Sequence, residues 1–305
     1  MPEHTQVETV SWNTNGDTLC AIRGKVFIEE QGVPEAIERD GKDVHAMHFL
    51  LTLGTEPVGC GRLLKDGKVG RMAVLPEHRG QGLGAELLHA ITGYARDHGY
   101  KRLYLHSQAH ATDFYAAAGF APIGEAFEEA GIPHRAMELL IDYSAVQGFV
   151  RCVDYPEPFA TLAVNLAGTA RRHLRIYSQR LDHEVFDRQE LSAAMAALVR
   201  RGRQSDIRIL VNDARSMVSR GHRLLELSRR LSSSISIRIL DDHPRIPEAT
   251  YLLRDNNGVL YKPQEMGENG FFEPDSRASA KRFLEEFDTL WHWGRTDPRL
   301  RQLTL

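Results

Sequence analysis

Three alternating glycines, Gly80, Gly82 and Gly84, follow a short apolar stretch at residues 72–75 and open a segment with helical periodicity. Without Cβ atoms they leave the first N–H groups of a helix accessible, and the helix dipole favours an anion there. The pattern predicts a turn that binds a pyrophosphate. A dinucleotide-binding loop is the competing interpretation, but it needs G-x-G-x-x-G and an acidic residue ending the next strand. The next predicted strand, RLYLHSQ, contains no acidic residue.

In register, Arg79, Gly82 and Gly84 match (R/Q)-x-x-G-x-(G/A), and this turn resembles the acyl-CoA-binding signature of the GNAT acyltransferase superfamily. The resemblance implies that acetyl-CoA is the cosubstrate. It also implies a set of cofactor-binding residues on the strand, on the turn and at the end of the following strand: Met72, Ala73, Val74, Arg79, Gly80, Gln81, Gly82, Leu83, Gly84 and Gln108.

Many members of this superfamily carry N-x-x-A-x-x-x-Y-x-x-x-G-F, and this chain has Gln108, Tyr115 and Gly119-Phe120 at the corresponding positions. Glutamine keeps the amide of asparagine on a longer arm. The resemblance implies that Tyr115 is the general acid that protonates the leaving CoA thiolate. A phenol with a pKa near ~10 stays protonated at neutral pH and suits that role. A core tyrosine packed beside Phe114 is the alternative.

The segment VFIEEQGVP at residues 26–34, the acidic residues Glu38, Asp40 and Asp43, and a last strand beginning at His134 resemble the ElaA/YjcF-like group of small bacterial acyltransferases. That resemblance spans about residues 5–143. It implies that Glu29, Gln31 and His134 border the acceptor pocket. Glu29 or His134 could deprotonate an ammonium group, directly or through water; a solvated helix-end glutamate and a satisfied histidine are the alternatives.

The order of elements predicts two α/β domains. Residues 1–143 are predicted to form a strand, a helix, a three-strand meander and the phosphate-binding helix. This order is similar to that of GNAT domains, and the resemblance implies an α+β domain with a mixed, mostly antiparallel sheet. Residues 144–158 are predicted to be a linker. Residues 159–305 alternate strands at 173–178, 207–211 and 235–239 with helices, so we expect an α/β module with a largely parallel sheet. A last helix over 277–293 places Phe283, Phe287 and Leu290 on one side, which predicts a docking face.

The second half resembles one repeat of a phospholipase D-like domain. Such a site needs H-x-K-x-x-x-x-D, with a histidine nucleophile and a lysine for the phosphoryl oxygens. This chain has Glu248, Thr250 and Asp255 at those positions, so only the aspartate matches and we expect no phosphodiester hydrolysis. A binding or regulatory module is predicted instead. Two clusters could hold an anionic or protein partner: Arg171, Arg172 and Arg175, and Arg200, Arg201 and Arg203.

The cysteine count, the histidine spacing and the hydropathy of the chain limit the kinds of site and the location to be expected. The chain has 305 residues, a net charge of −3 and three cysteines, Cys20, Cys60 and Cys152. Their odd number and wide spacing indicate no disulfide framework and no cysteine metal site, which favours a reducing cytosol. No metal is expected, because the histidines lack ligand spacing, and no membrane span is expected either.

We therefore expect a cytoplasmic acetyl-CoA-dependent N-acetyltransferase that acts on a primary amine of a small molecule or protein by direct attack. The alternative is an acyl-CoA-responsive binding or regulatory protein whose C-terminal module docks on nucleic acid or on a protein partner.

Overall fold

The computed structural model describes residues 4–202, 204–240, 246–264 and 269–301. The chain divides into two compact units: the first ends at Ile141 and the second begins at Asp142, with Asp97–Gly99 grouped with the second.

The first unit has two antiparallel sheets, ordered β1–β2–β3–β4 and β5–β7–β6. The parallel bridge between Lys68 and Tyr104 joins the beginning of β4 to β5. The predicted mixed, mostly antiparallel α+β fold is confirmed. Its elements are β1 (Thr5–Val10), α1 (Trp12–Arg23), a π-helix (Gly24–Glu30), α2 (Glu35–Glu38), β2 (Met47–Leu53), β3 (Glu56–Leu63), β4 (Val69–Val74), α3 (Leu83–Asp97), β5 (Arg102–Gln108), α4 (Thr112–Ala117), β6 (Ala121–Glu129) and β7 (Ile132–Leu140).

Helix α3 packs on this unit's core because its apolar residues recur at helical spacing. Leu87, Ile91 and Ala95 are fully buried in one cluster with Phe49 and Leu51 of β2. At this spacing one stripe of the helix faces the sheet. The packing fixes the start of α3 at the end of β4, where the glycine turn lies.

Helix α1 begins at Trp12. Its N-cap is Ser11, whose Oγ accepts from the N–H of Asn13. Gly16 lies inside the helix, where a glycine costs roughly 1 kcal/mol relative to alanine. A Cβ there would lie 3.4 Å from the ring of Trp12.

Strands β6 and β7 form a tight hairpin. β6 extends to Glu129 and β7 begins at Ile132, with only Ala130 and Gly131 between them. These two residues have φ of 52° and 75°. Two successive positive φ values are typical of the primed turns that match strand twist. The tight turn brings Glu129 beside the strands that carry His106 and His134.

The second unit contains one sheet, ordered β11–β10–β9–β12–β13–β14–β8. β9, β10 and β11 are parallel, as the βαβαβ order predicts, and the other pairs are antiparallel, so the sheet is mixed. Its elements are β8 (Val150–Val153), α5 (Phe159–Gly168), β9 (His173–Ser178), α6 (His183–Phe186), α7 (Gln189–Arg201), β10 (Asp206–Val211), α8 (Arg215–Arg220), α9 (Arg223–Arg230), β11 (Ile235–Ile239), β12 (Ala249–Arg254), β13 (Gly258–Pro263), β14 (Gly270–Glu273), α10 (Arg277–Trp293) and α11 (Pro298–Arg301).

Three local features of this unit are not apparent from the sequence pattern. The segment 144–158, predicted to be a linker, includes β8, which pairs with β14 through buried Val150 and Val153. The carboxylate of Asp187, just before α7, accepts from the N–H of Arg223 at 2.6 Å. Helices α8 and α9 are separated at Gly221, which has φ of 76°.

The apolar face of α10 belongs to the core of its own unit. Phe283, Phe287 and Leu290 pack in one buried cluster with Tyr177 and Tyr251 of the sheet. The rings of Tyr177 and Tyr251 stack at 5.2 Å. The predicted docking face is therefore covered within the unit that carries it.

A buried histidine in this unit makes stability depend on pH. His222 is 2% exposed and caps α9, with Nδ1 accepting from the N–H of Leu224 and Nε2 donating to the carbonyl of Leu181. Burial lowers the pKa of His222 to about 4. The unfolded chain, with a pKa near ~6.5, takes up this proton first as the pH falls.

We expect the His222 contribution to be fully present above about pH 6.5 and to be lost progressively down to about pH 4, a difference of about 3 kcal/mol in the free energy of unfolding. Denaturant unfolding followed at Trp291 and Trp293 measures it. His222→Asn keeps a capping side chain and removes the titration. If the free energy of unfolding depends on pH equally in the wild type and in His222→Asn over this range, His222 is not the group responsible.

Candidate active site

The glycine turn has the geometry of an anion site. Gly80 and Gly82 have φ of 78° and 83°, and a Cβ on either would meet no atom within 4 Å. The N–H groups of Ala85 and Glu86 donate to the carbonyl of Gly82, so this carbonyl accepts the first helical bonds. The N–H groups before them, at Leu83 and Gly84, have no partner inside the helix. These backbone N–H groups of the turn are therefore available to donate hydrogen bonds to a bound anion.

A cavity of about 480 Å³ lies against this turn; we call it the cofactor-side cavity. It includes the predicted cofactor residues of the strand and turn except Gln81, which is exposed. Its lining is Met72, Ala73, Val74, His78, Arg79, Gly80, Gly82, Leu83, Gly84, Ala85, Ala111, Phe114 and Tyr115.

Arg79 is held by two partners rather than extending from the turn. Its Nε donates to the carbonyl of Val74 at 2.9 Å, and Nη1 and Nη2 donate to the carboxylate of Glu30 at 2.7 and 2.6 Å. The hydrogen bonds from Arg79 lower the pKa of Glu30. The guanidinium therefore ties the turn to β4 and to the π-helix.

One backbone N–H near the end of β4, that of Val74, points away from the neighbouring strand β3. The N–H of Leu75 donates to the carbonyl of Val58 in β3. Because successive N–H groups in a strand point to opposite edges, the N–H of Val74 points away from β3. That edge faces the cavities, since Val74 lines both.

A second cavity of about 630 Å³ lies between β4 and β5; we call it the acceptor-side cavity. It shares Met72, Ala73, Val74, Arg79, Ala111 and Tyr115 with the cofactor-side cavity. Its charged, histidine and amide lining residues are Glu30, Gln31, Glu38, Lys68, Arg71, Arg79, His106, Gln108, His110, Glu129 and His134.

Tyr115 lies where the two cavities meet. Its ring packs edge-on against Phe114 and Phe120, with centroids 4.9 and 6.0 Å away. Burial raises the pKa of Tyr115 to about 12, so the phenol is protonated at neutral pH. Within the described residues its hydroxyl has no hydrogen-bond partner, which leaves the proton available to a ligand.

Of the predicted acceptor-side residues, Gln31 and His134 line this cavity and Glu29 does not. Glu29 is exposed, and the next residue, Glu30, is the one on the cavity wall. The cause is the π-helix, whose wider turn changes which side chains share a face. The predicted contact of Glu29 with the acceptor thus has no support from its position.

Gln108 faces the acceptor-side cavity rather than the cofactor-side one. Its Nε2 donates to Oε1 of Gln31 at 2.9 Å. Residues Gln108 and His134 are direct partners across β5 and β7, so their side chains share one face of the sheet. The structure therefore brings Gln31, Gln108 and His134 together.

The acidic residues after α2 form buried ion pairs. Arg23, which is 1% exposed, contacts the carboxylates of Glu38 and Asp43. Arg62 donates to Asp40 at 2.7 Å and to Asp43 at 2.8 Å. Burial alone would raise the pKa of Asp40, but the bonds from Arg62 keep it well below its usual range. These residues hold the segment beside the cavity in place.

Asp255, the residue that matches the phospholipase D-like pattern, has a structural role. Its carboxylate accepts from the backbone N–H groups of Arg171, Arg172 and His173 at 2.8–3.0 Å. Glu248 is exposed and Thr250 is buried in β12. Asp255 therefore fixes the loop before β9.

The arginine clusters of this unit have different surroundings. Arg175 is buried, and its Nη2 donates to Asp206 at 2.8 Å, so it is not part of an exposed cluster. Arg203 lies outside the described residues. The exposed members are Arg171, Arg172, Arg200 and Arg201. An anionic or protein partner for this unit stays a prediction.

Across the described ranges, no group of three or more His, Cys, Asp or Glu side chains could hold a metal ion. The same part of the chain contains no helix long and apolar enough to cross a membrane.

Residues 4–141 match the family model of the acetyltransferase (GNAT) domain. The chain belongs to the GNAT acetyltransferase family through this unit, and it is an acyltransferase. It is 38% identical over 120 residues to the uncharacterized N-acetyltransferase YjcF of Bacillus subtilis, a match that covers 38% of this chain and 86% of that protein.

It is also 35% identical over 130 residues to protein ElaA of Escherichia coli, covering 39% of this chain and 83% of that protein. The crystal structure of E. coli ElaA matches with a TM-score of 0.41 and 28% identity, over 44% of this chain and 99% of that one. Residues 155–303 match a domain of unknown function, DUF7931. The resemblance to a phospholipase D-like module stays a prediction.

We expect the full-length protein to show no turnover of bis(p-nitrophenyl) phosphate, because the positions of the histidine and lysine hold Glu248 and Thr250. Release of p-nitrophenolate measures it. The prediction would be contradicted if the full-length protein turned over this substrate, Asp255→Asn abolished that turnover and Asp213→Asn did not. Asp213 is another carboxylate of this unit and serves as the control.

Proposed function

We propose that this protein transfers the acetyl group of acetyl-CoA to a primary amine of a small molecule or protein, with the amine attacking the thioester directly. One observation carries the proposal: the cofactor-side and acceptor-side cavities share a wall at residues 72–74 and Tyr115. Two reactants bound in adjoining cavities can meet at that wall without a covalent enzyme intermediate.

The geometry of the turn supports acetyl-CoA as the donor. The backbone N–H groups of Leu83 and Gly84 would hold the pyrophosphate, because the open space beside Gly80 and Gly82 admits an anion where other residues would place a Cβ. The N–H of Val74 would polarise the thioester carbonyl from the edge of β4.

The position of Tyr115 supports its role as the general acid. The departing thiolate lies at the shared wall, and a protonated phenol with no partner among the described residues can donate to it. The amine approaches from the acceptor-side cavity, where the carboxylate of Glu129 can attract a cation.

Release of CoA thiol in the presence of acetyl-CoA and a panel of primary amines tests the proposal. The panel consists of polyamines, amino acids, amino sugars and lysine-containing peptides. We expect turnover with at least one class. Calorimetric binding of acetyl-CoA without turnover of any amine would contradict the proposal and favour a protein that only senses the cofactor.

A further inference from the structure

We propose that His106, oriented by Glu129, is the general base that deprotonates the acceptor amine. This inference rests on the proposed function and adds a residue to it. Both side chains line the acceptor-side cavity, which Tyr115 also lines. The base and the acid of the reaction therefore face one space.

Strand pairing brings these residues together. His106 lies on β5, two residues before Gln108, so both side chains are on the face that also carries His134 of β7. Phe127 of β6 is the partner of His134 and contacts both histidine rings, edge-on to His106 at 4.9 Å and stacked on His134 at 6.1 Å. The aromatic contact limits the orientations open to His106.

The hydrogen bond to Glu129 sets the tautomer of His106. Nδ1 of His106 lies 2.6 Å from Oε2 of Glu129. An ionised carboxylate can only accept, so Nδ1 carries the proton and Nε2 of the neutral ring has the lone pair. Nε2 makes no further hydrogen bond within the described residues. The ring thus has a lone pair on Nε2 and a carboxylate that fixes its orientation.

The other groups around this pair are less suited to the role. His134 donates from Nδ1 to the carbonyl of Ile132 at 2.8 Å, so its Nε2 also has a lone pair, but no carboxylate among the described residues contacts this ring. The carboxylate of Glu30 is bound to Arg79 through two hydrogen bonds. Lys68, on the β4 side, and His134 are the other titratable groups near Glu129.

The step is balanced as follows. Nε2 of His106 takes one proton from the ammonium group of the acceptor, and the neutral amine nitrogen forms a bond to the thioester carbonyl carbon. The carbon–sulfur bond breaks, and Tyr115 protonates the thiolate. The phenolate of Tyr115 recovers a proton from the new amide nitrogen, and the imidazolium of His106 releases its proton to water.

Steady-state kinetics test the base with the best amine of the panel. We expect His106→Gln to lower kcat/KM by about 10²–10⁴-fold and to abolish the acidic limb of its pH profile. We expect Glu129→Gln to lower kcat/KM less than His106→Gln does, since the ring keeps its Nε2 lone pair but loses the carboxylate that orients it. The matched control is His45→Gln, which replaces an exposed histidine outside the cavity and leaves both quantities unchanged.

A second measurement does not depend on turnover. In ¹⁵N NMR, His106 is expected to show a protonated Nδ1 and an unprotonated Nε2 at high pH, and the Nδ1 resonance is expected to shift in Glu129→Gln. The opposite tautomer, or an unchanged Nδ1 resonance, would overturn the pair. An inactive wild-type protein would contradict the proposed function and the base with it, whereas full activity of folded His106→Gln would contradict the base alone.

Discussion

Replacing Tyr115 with phenylalanine is expected to lower kcat by about 10²–10⁴-fold and to leave the Kd for acetyl-CoA nearly unchanged. The substitution keeps the ring that packs against Phe114 and Phe120 and removes only the hydroxyl. Single-turnover kinetics at saturating acetyl-CoA and amine measure the chemical step, and calorimetry measures the affinity.

Tyr104→Phe is the matched control, because it removes a phenol hydroxyl from the same unit outside both cavities. That hydroxyl donates to Asp66 at 2.7 Å. The control should retain the wild-type rate. A Tyr115→Phe protein with the wild-type single-turnover rate would show that another group or water protonates the thiolate.

Replacing Gly82 with valine is expected to weaken acetyl-CoA binding by about a hundredfold or more. The new side chain would occupy the open space beside the turn, and it would remove charge-assisted hydrogen bonds worth about 1.5–3 kcal/mol each. Calorimetry measures the affinity, and circular dichroism shows whether the protein is folded.

A valine at Gly82 also strains the backbone, since φ is 83°, and a left-handed conformation costs about 1–2 kcal/mol for an L-residue. Gly54→Val controls for this strain. Gly54 lies in the β2–β3 turn with φ of 59°, and a Cβ there also meets no atom within 4 Å. If both folded variants bind acetyl-CoA as the wild type does, the turn is not the cofactor site.

The parts of the site that could be predicted from the sequence are those encoded locally. The turn at residues 79–84 depends on glycines next to one another in the chain, and α3 depends on an apolar stripe that helical periodicity reveals. The role of Tyr115 follows from the resemblance of Gln108, Tyr115 and Gly119-Phe120 to the GNAT pattern. Each of these signals lies within one short continuous segment of sequence.

The acceptor side could not be predicted in the same way. His106 and Glu129 are separated by 23 residues and meet only because β6 and β7 form a tight hairpin beside β5. No spacing rule identifies such a pair. Their only sequence signal is a histidine at an alternating position of a strand.

In the second unit, patterns of apolar residues predict where helices and strands lie but not which surfaces their apolar faces pack against. The helix over residues 277–293 has the predicted bounds, and the buried contacts of Phe283 and Phe287 are within its own unit. An amphipathic face indicates that something covers it, and three-dimensional packing decides what.

The π-helix at Gly24–Glu30 has a consequence for how acceptor preference can change. A π turn contains about one residue more than the α-helical turn it replaces, so deleting one residue from this segment would restore regular helix and change which of its side chains face the cavity. Val26, Phe27, Glu30 and Gln31 supply part of the acceptor-side wall, whereas the glycine turn belongs to a different part of the chain. A one-residue insertion or deletion is therefore enough to rebuild the acceptor wall while the cofactor-side residues keep their sequence.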